Sequence, residues 1–157
     1  MKLSGRTDVQ APVDFVFDAI SDVDFWERAA LRRGAEVTRT DKLRSLAPGL
    51  SWMIRFGWRG RERQMHVVLK QLDRPNVLAL EGDSPSVEGG VVMELVALST
   101  TRARILVQTT VKPRTLAARL FLQSMRLARG KVNARYDKKL RQLAGIIEQR
   151  FEDSRRA

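Results

Sequence analysis

No cysteine occurs in the 157 residues, so disulfides, thiol nucleophiles and thiolate metal ligands are excluded and the fold must stand on packing alone. Histidine is nearly absent too. The one histidine, His66, shares a strand face with Gln64 and Lys70, the polar side of that strand, and reads as an exposed or structural residue. Neither a Ser-His-Asp nor a Cys-His nucleophile is expected, and a histidine-rich metal site is ruled out by count. Acids are dense only at Asp14, Asp18, Asp22, Asp24 and Glu27. Asp14 suits the first turn of a helix, Asp22 a cap and Asp18 a solvated side, so no metal is expected there. Glu81 and Glu94 fall on the opposite strand faces from their apolar neighbours, which leaves no inward pair of carboxylates for acid-base work. No glycine-rich phosphate loop is present, and no cofactor is expected. There is no run of eighteen apolar residues, and Met1 to Thr7 has no apolar core, so neither a membrane span nor a signal peptide is expected and the cytoplasm is the default address.

What is present is enough apolar material for one globule. Hydrophobic residues make up 43% of the chain, and its length suits a single domain, residues 1–157. The net charge is +11, from 29 basic and 18 acidic side chains. The excess is concentrated between Arg114 and Phe151, which hold ten basic residues and only Asp137 and Glu148 as acids.

Lys2 to Val9 alternates weakly, as a first strand, and stops at Ala11-Pro12. Val13, Val16, Phe17 and Ile20 then form a short helical stripe, and Ser21-Asp22 caps a second short helix over Val23 to Leu31. Ala35 to Arg39 is a short strand before the loop Asp41 to Gly49. The strongest alternation follows, with Leu50, Trp52, Ile54, Phe56 and Trp58 on one face. Gly60 turns this strand back into Arg61 to Leu72, as a hairpin. Further strands are read over Val77 to Glu81, Val87 to Leu98, with Gly89-Gly90 marking a bulge, and Arg102 to Lys112. After Pro113, apolar residues at Leu116, Leu120, Met125, Val132, Tyr136, Leu140, Leu143, Ile147 and Phe151 take the spacing of one face of a long helix from Arg114 to Phe151. The pattern predicts an α+β fold: one curved antiparallel sheet of about seven strands wrapped around a long C-terminal helix, with two short helices after the first strand.

The run Val9-Gln10-Ala11-Pro12-Val13-Asp14-Phe15, continued by Val16-Phe17-Asp18-Ala19-Ile20-Ser21-Asp22-Val23 and Trp26, resembles the START/Bet v1-like superfamily (SRPBCC, polyketide cyclase-like). In those proteins a first strand ends at an Ala-Pro step, a helix with a Val-Phe pair follows, and an Asp before the second short helix leads to a Trp. The order of elements matches over essentially the whole chain. The Leu46-Ala47-Pro48-Gly49 loop departs from the glycine-rich loop of the plant allergen branch. The resemblance implies a helix-grip fold with a cavity between the sheet and the C-terminal helix, used in relatives for lipids, sterols, polyketides and other apolar molecules.

By strand parity, the inward faces carry Trp52, Ile54, Phe56, Met65, Val67, Leu69, Val91, Met93, Leu95, Ile105 and Val107, with Leu120, Phe121 and Met125 added from the helix. These residues would line an apolar interior or fill it as core; the resemblance favours a cavity. The expected function is non-catalytic binding of a small hydrophobic or amphipathic ligand. An alternative is a cyclase or dehydratase in which Thr109 or Tyr136 orients a carbonyl. Another is a basic module that docks on an anionic membrane or nucleic acid through Arg126, Arg129, Lys131, Arg135, Lys138, Lys139 and Arg141. Stacking aromatics are not interleaved with these charges, so nucleic acid is not an expected partner.

Overall fold

The computed structural model describes residues 1–156. In chain order the elements are β1 (Lys2–Val9), α1 (Val13–Ile20), α2 (Val23–Arg32), β2 (Glu36–Arg39), β3 (Ser51–Trp58), β4 (Arg61–Asp73), β5 (Val77–Asp83), β6 (Val87–Ser99), β7 (Arg102–Pro113), α3 (Leu116–Leu127) and α4 (Arg129–Arg156). All seven strands form one antiparallel sheet in the order β1-β7-β6-β5-β4-β3-β2. It is the helix-grip architecture: an open sheet whose concave side receives α1, α2 and the long C-terminal helix α4.

Local chemistry explains the corners. Pro12, extended at φ −61°, stands before α1, where its missing N–H costs nothing. Asp22 caps α2 by accepting from the Phe25 N–H at 3.2 Å, and Thr115 caps α3 by accepting from Ala118 at 3.1 Å. The β3–β4 hairpin turns on Arg59 and Gly60, both at positive φ (52° and 74°), as a two-residue turn between paired Trp58 and Arg61 requires.

The core lies on one half of the concave face. Val9, Val16, Phe17, Leu95, Ile105 and Ile147 are its largest fully buried side chains, drawn from β1, α1, β6, β7 and α4. Burying each such side chain contributes roughly 1.5–3 kcal/mol. The closest approach is at Gly5 on β1. A Cβ there would stand 2.7 Å from Leu140 Cδ1 and 3.1 Å from Tyr136 Cε1, so the bare glycine lets α4 settle onto the strand.

The C-terminal run differs from the single helix expected over Arg114 to Phe151. It is divided at Ala128, whose φ of −101° and ψ of 29° leave the helical range. A straight helix over α3 and α4 would be about 60 Å long, whereas the longest strands reach only about 43 Å. The chain therefore bends, placing α3 beside the end of β7 and α4 along β1. Of the predicted apolar face only Leu140 and Ile147 are fully buried, while Leu116 and Leu120 are 70% and 57% exposed. Gly89-Gly90 is not a bulge either. The ladder is continuous there, and the irregularities fall at Leu69/Gln71 and Ala97/Ser99. Gly89 is required for another reason, because a Cβ would run into the Thr110 carbonyl of the neighbouring strand.

Candidate functional site

The half of the concave face not filled by α4 carries a pocket of about 380 Å³. Its floor is Trp52 and Ile54 of β3, Val67 and Leu69 of β4, Leu78 and Leu80 of β5, and Val91 and Met93 of β6. These meet because antiparallel register sets Trp52 opposite Val67, Leu69 opposite Leu80, Leu80 opposite Val91 and Leu78 opposite Met93. The roof is α2, which contributes Val23, Trp26, Glu27 and Ala30, with Ile20 and Ser21 from the end of α1. Val37 and Leu46 complete the wall. Trp26 and Leu46 are 39% and 40% exposed, so the mouth opens between α2 and the loop joining β2 to β3.

Polar atoms at this site are few, and the two indole N–H groups are each tied. Trp26 Nε1 donates to the Ile20 carbonyl at 2.8 Å, which orients its ring across the α1–α2 corner. Trp52 Nε1 donates to Glu27 Oε1 at 2.9 Å, joining floor to roof. Glu27 is the only ionisable side chain among the described lining residues. Behind the pocket, the Arg39 guanidinium lies 5.7 Å from the Trp52 ring centroid and pairs with Asp41 through bonds of 2.8 and 2.7 Å. Asp41 also accepts from the Ser51 N–H at 2.8 Å and the Leu43 N–H at 2.9 Å, which fixes the loop bearing Leu46. The Arg39 hydrogen bond, helped by these two backbone donors, holds the Asp41 carboxyl well below the usual carboxylate range. At the other end of the roof, burial works to raise the Asp22 carboxyl. The Phe25 N–H and Arg150, 2.8 Å away, outweigh it and lower the pKa.

Of the residues expected to line a cavity, Trp52, Ile54, Val67, Leu69, Val91 and Met93 do so. Leu95, Ile105 and Val107 are buried in solid core, because α1 and α4 cover that half of the sheet. Phe56 and Met65 are half-buried outside the pocket wall. Thr109 and Tyr136 bond to each other at 3.0 Å and do not line this pocket. Phe121 packs edge-on against Trp58 with centroids 6.1 Å apart, Met125 is half-buried on the same helix, and Leu120 faces outward. The pocket therefore lies beneath α2. Among the described residues, none of α3 or α4 lines it, which corrects the expectation of a cavity under the C-terminal helix. The periodicity of Leu116 and Leu120 was genuine, but a single helical face cannot say that its first turns have left the sheet. Val23, Trp26 and Ala30 were missed, though their spacing of three and four was the available signal, and so were Leu78 and Leu80 of β5, which alternation puts on one strand face.

On the convex side, a second hollow of about 520 Å³ is lined by His66, Lys70, Glu81, Asp83, Glu88, Lys112 and Arg114, with glycines between them. Its charges answer one another: Arg114 pairs with Asp83 and, at 2.7 Å, with Glu88, and Lys70 lies 3.8 Å from Glu81. His66 Nε2 lies 3.2 Å from Thr40 Oγ1 on this outer side. No group of three metal-ligating side chains occurs among the described residues. Asp18 pairs with Arg74, in keeping with a solvated role.

No family profile matches the chain, and no curated protein sequence matches it. Solved structures do. The Zhui aromatase/cyclase from Streptomyces sp. R1128 superimposes with a TM-score of 0.68 at 17% identity, over 96% of this chain and 94% of that one. A truncated norcoclaurine synthase from Thalictrum flavum gives 0.62 at 12% identity, over 92% and 90%. A START superfamily protein from Mycobacterium smegmatis gives 0.57 at 10% identity, over 85% and 95%. The chain has the START/Bet v1-like fold, the helix-grip class that the Val9 to Trp26 run resembles.

Proposed function

We propose that this protein binds a small hydrophobic or amphipathic molecule in the pocket beneath α2, without chemical change. The observation that carries the reading is a 380 Å³ space walled mostly by aliphatic and aromatic carbon, with the Glu27–Trp52 pair joining its floor to its roof. That volume lies toward the small end of the roughly 300–1,000 Å³ usual for ligand sites, so a compact ring system or a short acyl chain fits better than an extended lipid. Glu27 Oε2 is not used by Trp52 and would accept from a hydroxyl or amine on the ligand. The cytoplasm remains the proposed compartment.

The test is saturable binding of a neutral apolar dye such as N-phenylnaphthylamine, combined with native mass spectrometry of the purified protein. Ala30→Phe, which grows a side chain into the pocket, should abolish dye binding while the melting temperature holds. Absence of saturable binding, or binding indifferent to this change, would refute the proposal.

A second reading, a cyclase or dehydratase, is favoured by one observation: an ionisable group, Glu27, stands in the apolar wall. Thr109 and Tyr136, offered by the sequence for a carbonyl, engage each other instead. Turnover that Glu27→Gln abolishes while dye binding persists would favour this reading over simple carriage.

A further inference from the structure

The outer side of α3 combines features that the ligand pocket does not explain. Leu116, Leu120 and Leu127 are 70%, 57% and 92% exposed. At about 100° per residue the three fall within roughly 40° of one another around the helix, a single apolar stripe. Arg119 and Arg126, exposed and one heptad apart, run along its flank. The opposite side, with Phe121, Leu122 and Met125, faces the protein, so the exposed leucines are not the helix's packing face. Trp58, 48% exposed, packs against Phe121, and the Arg59 guanidinium sits 4.4 Å from the same ring centroid.

The charge around the stripe has one sign. No acid occurs from Arg114 to Tyr136, and Arg129, Lys131 and Arg135 are exposed just beyond α3. Among the described residues, Arg119, Arg126, Arg129, Lys131 and Arg135 form no ion pair. We infer that α3 is an interfacial helix that docks this protein on an anionic phospholipid surface, leucines in the acyl boundary and arginines among the phosphates.

Each alternative occupant uses only half of these features. A nucleic acid would pair with the arginines and has no use for three leucines in water. A second copy meeting through a two-fold axis would bring the same uncompensated cations face to face. A bilayer interface accepts both: leucine side chains enter the acyl boundary, and Arg stems lie along it with their heads at the phosphates. Twelve residues span only about 18 Å as helix, too short to cross, so α3 would lie in the plane of the surface.

The experiment is co-sedimentation with vesicles of phosphatidylcholine alone and of phosphatidylcholine with a minority of phosphatidylglycerol, at low and high salt. The unaltered protein should bind the anionic vesicles at least about tenfold better than the neutral ones, and less as salt rises. The triple change Leu116→Ser, Leu120→Ser, Leu127→Ser should weaken that binding about tenfold or more with little change in melting temperature, because these side chains are mostly exposed. Arg119→Gln with Arg126→Gln should weaken it and flatten the salt dependence. Neither set touches the pocket, so dye binding should persist in both. The proposal is overturned if the unaltered protein ignores anionic vesicles, if the serine triple variant binds them unchanged, or if duplex DNA competes fully while the leucines make no difference.

Discussion

Trp52 Nε1 donates a 2.9 Å hydrogen bond to Glu27 Oε1, and this single bond links the floor of the pocket to its roof. The link matters because no residue of α2 is fully buried, whereas α1 buries Val16, Phe17, Ala19 and Ile20. The roof is thus the more weakly fixed of the two short helices. Glu27→Gln replaces a charge-assisted bond by a neutral one, and Trp52→Phe removes the donor. Each should cost about 1 kcal/mol of stability and raise amide exchange in α2 selectively, leaving α1 protected. The double variant should cost less than the sum of the two. Equal exchange in both helices would show that the bond does not hold the roof.

The two halves of the C-terminal run should respond differently to truncation. Ile147 is 1% exposed against the sheet, and Ile147→Ala should destabilise by about 2–5 kcal/mol through lost burial and the cavity left behind. Leu120→Ala should change stability by less than about 0.5 kcal/mol, because more than half of its side chain is already exposed. Urea unfolding of the two variants gives both numbers. Comparable losses would mean that α3 is packed as tightly as α4.

At Gly5 the expected cost comes from adding an atom. Gly5→Ala places a methyl 2.7 Å from Leu140 Cδ1 and 3.1 Å from Tyr136 Cε1, and relief requires these side chains, or α4 with them, to shift, at about 1–3 kcal/mol. Gly57→Ala in β3 is the control, since nothing lies within 4 Å of the added carbon, and it should be neutral or mildly stabilising. Thermal melts of the pair would check the difference.

Acid should weaken the fold through its lowered carboxyls. Asp41 is held down by Arg39, Asp8 by Arg104 and Glu88 by Arg114, the nearest guanidinium being the largest cause in each case. A depressed folded-state pKa gives stability that is complete above the unfolded value near pH 4 and is lost as pH falls through the lower folded value. Unfolding midpoints should therefore drop between about pH 4 and about pH 2, and Asp41→Asn should flatten this limb. An unchanged limb in that variant would show that the Arg39–Asp41 pair carries none of it.

Most of the fold was legible because its signals are local. Alternation at Trp52, Ile54 and Phe56 defines a strand whatever it pairs with, Asp22 marks a cap, and the Ala11-Pro12 step marks a corner. Three of the four floor strands followed from parity, which places Trp52 and Ile54, Val67 and Leu69, and Val91 and Met93 on the inward face, whereas Leu78 and Leu80 of β5 were not read as lining. What parity cannot supply is which helix covers which half of that face. Leu95, Ile105 and Val107 obey the same alternation as the pocket residues, yet α1 and α4 fill the space above them. The bend at Ala128 was equally hidden, since residues on both sides form helix and the reason for turning lies in the length of the sheet. Trp26 was noticed as part of a motif, but its role in the wall depends on α2 lying over β3 to β6.

The pairing of β1 with β7 sets an order on assembly. Met1 donates to the Val111 carbonyl at 2.8 Å across 110 positions, and the strand that begins the chain is also where its last helix rests. During synthesis β1 must wait with an open edge until β7 has emerged, and the seat at Gly5 stays empty until α4 follows. The middle strands are hairpin neighbours and can pair as they appear. The closing of the domain is thus a late, long-range event in which the first and last segments fasten together, and premature termination before α4 would leave the first strand's apolar face uncovered.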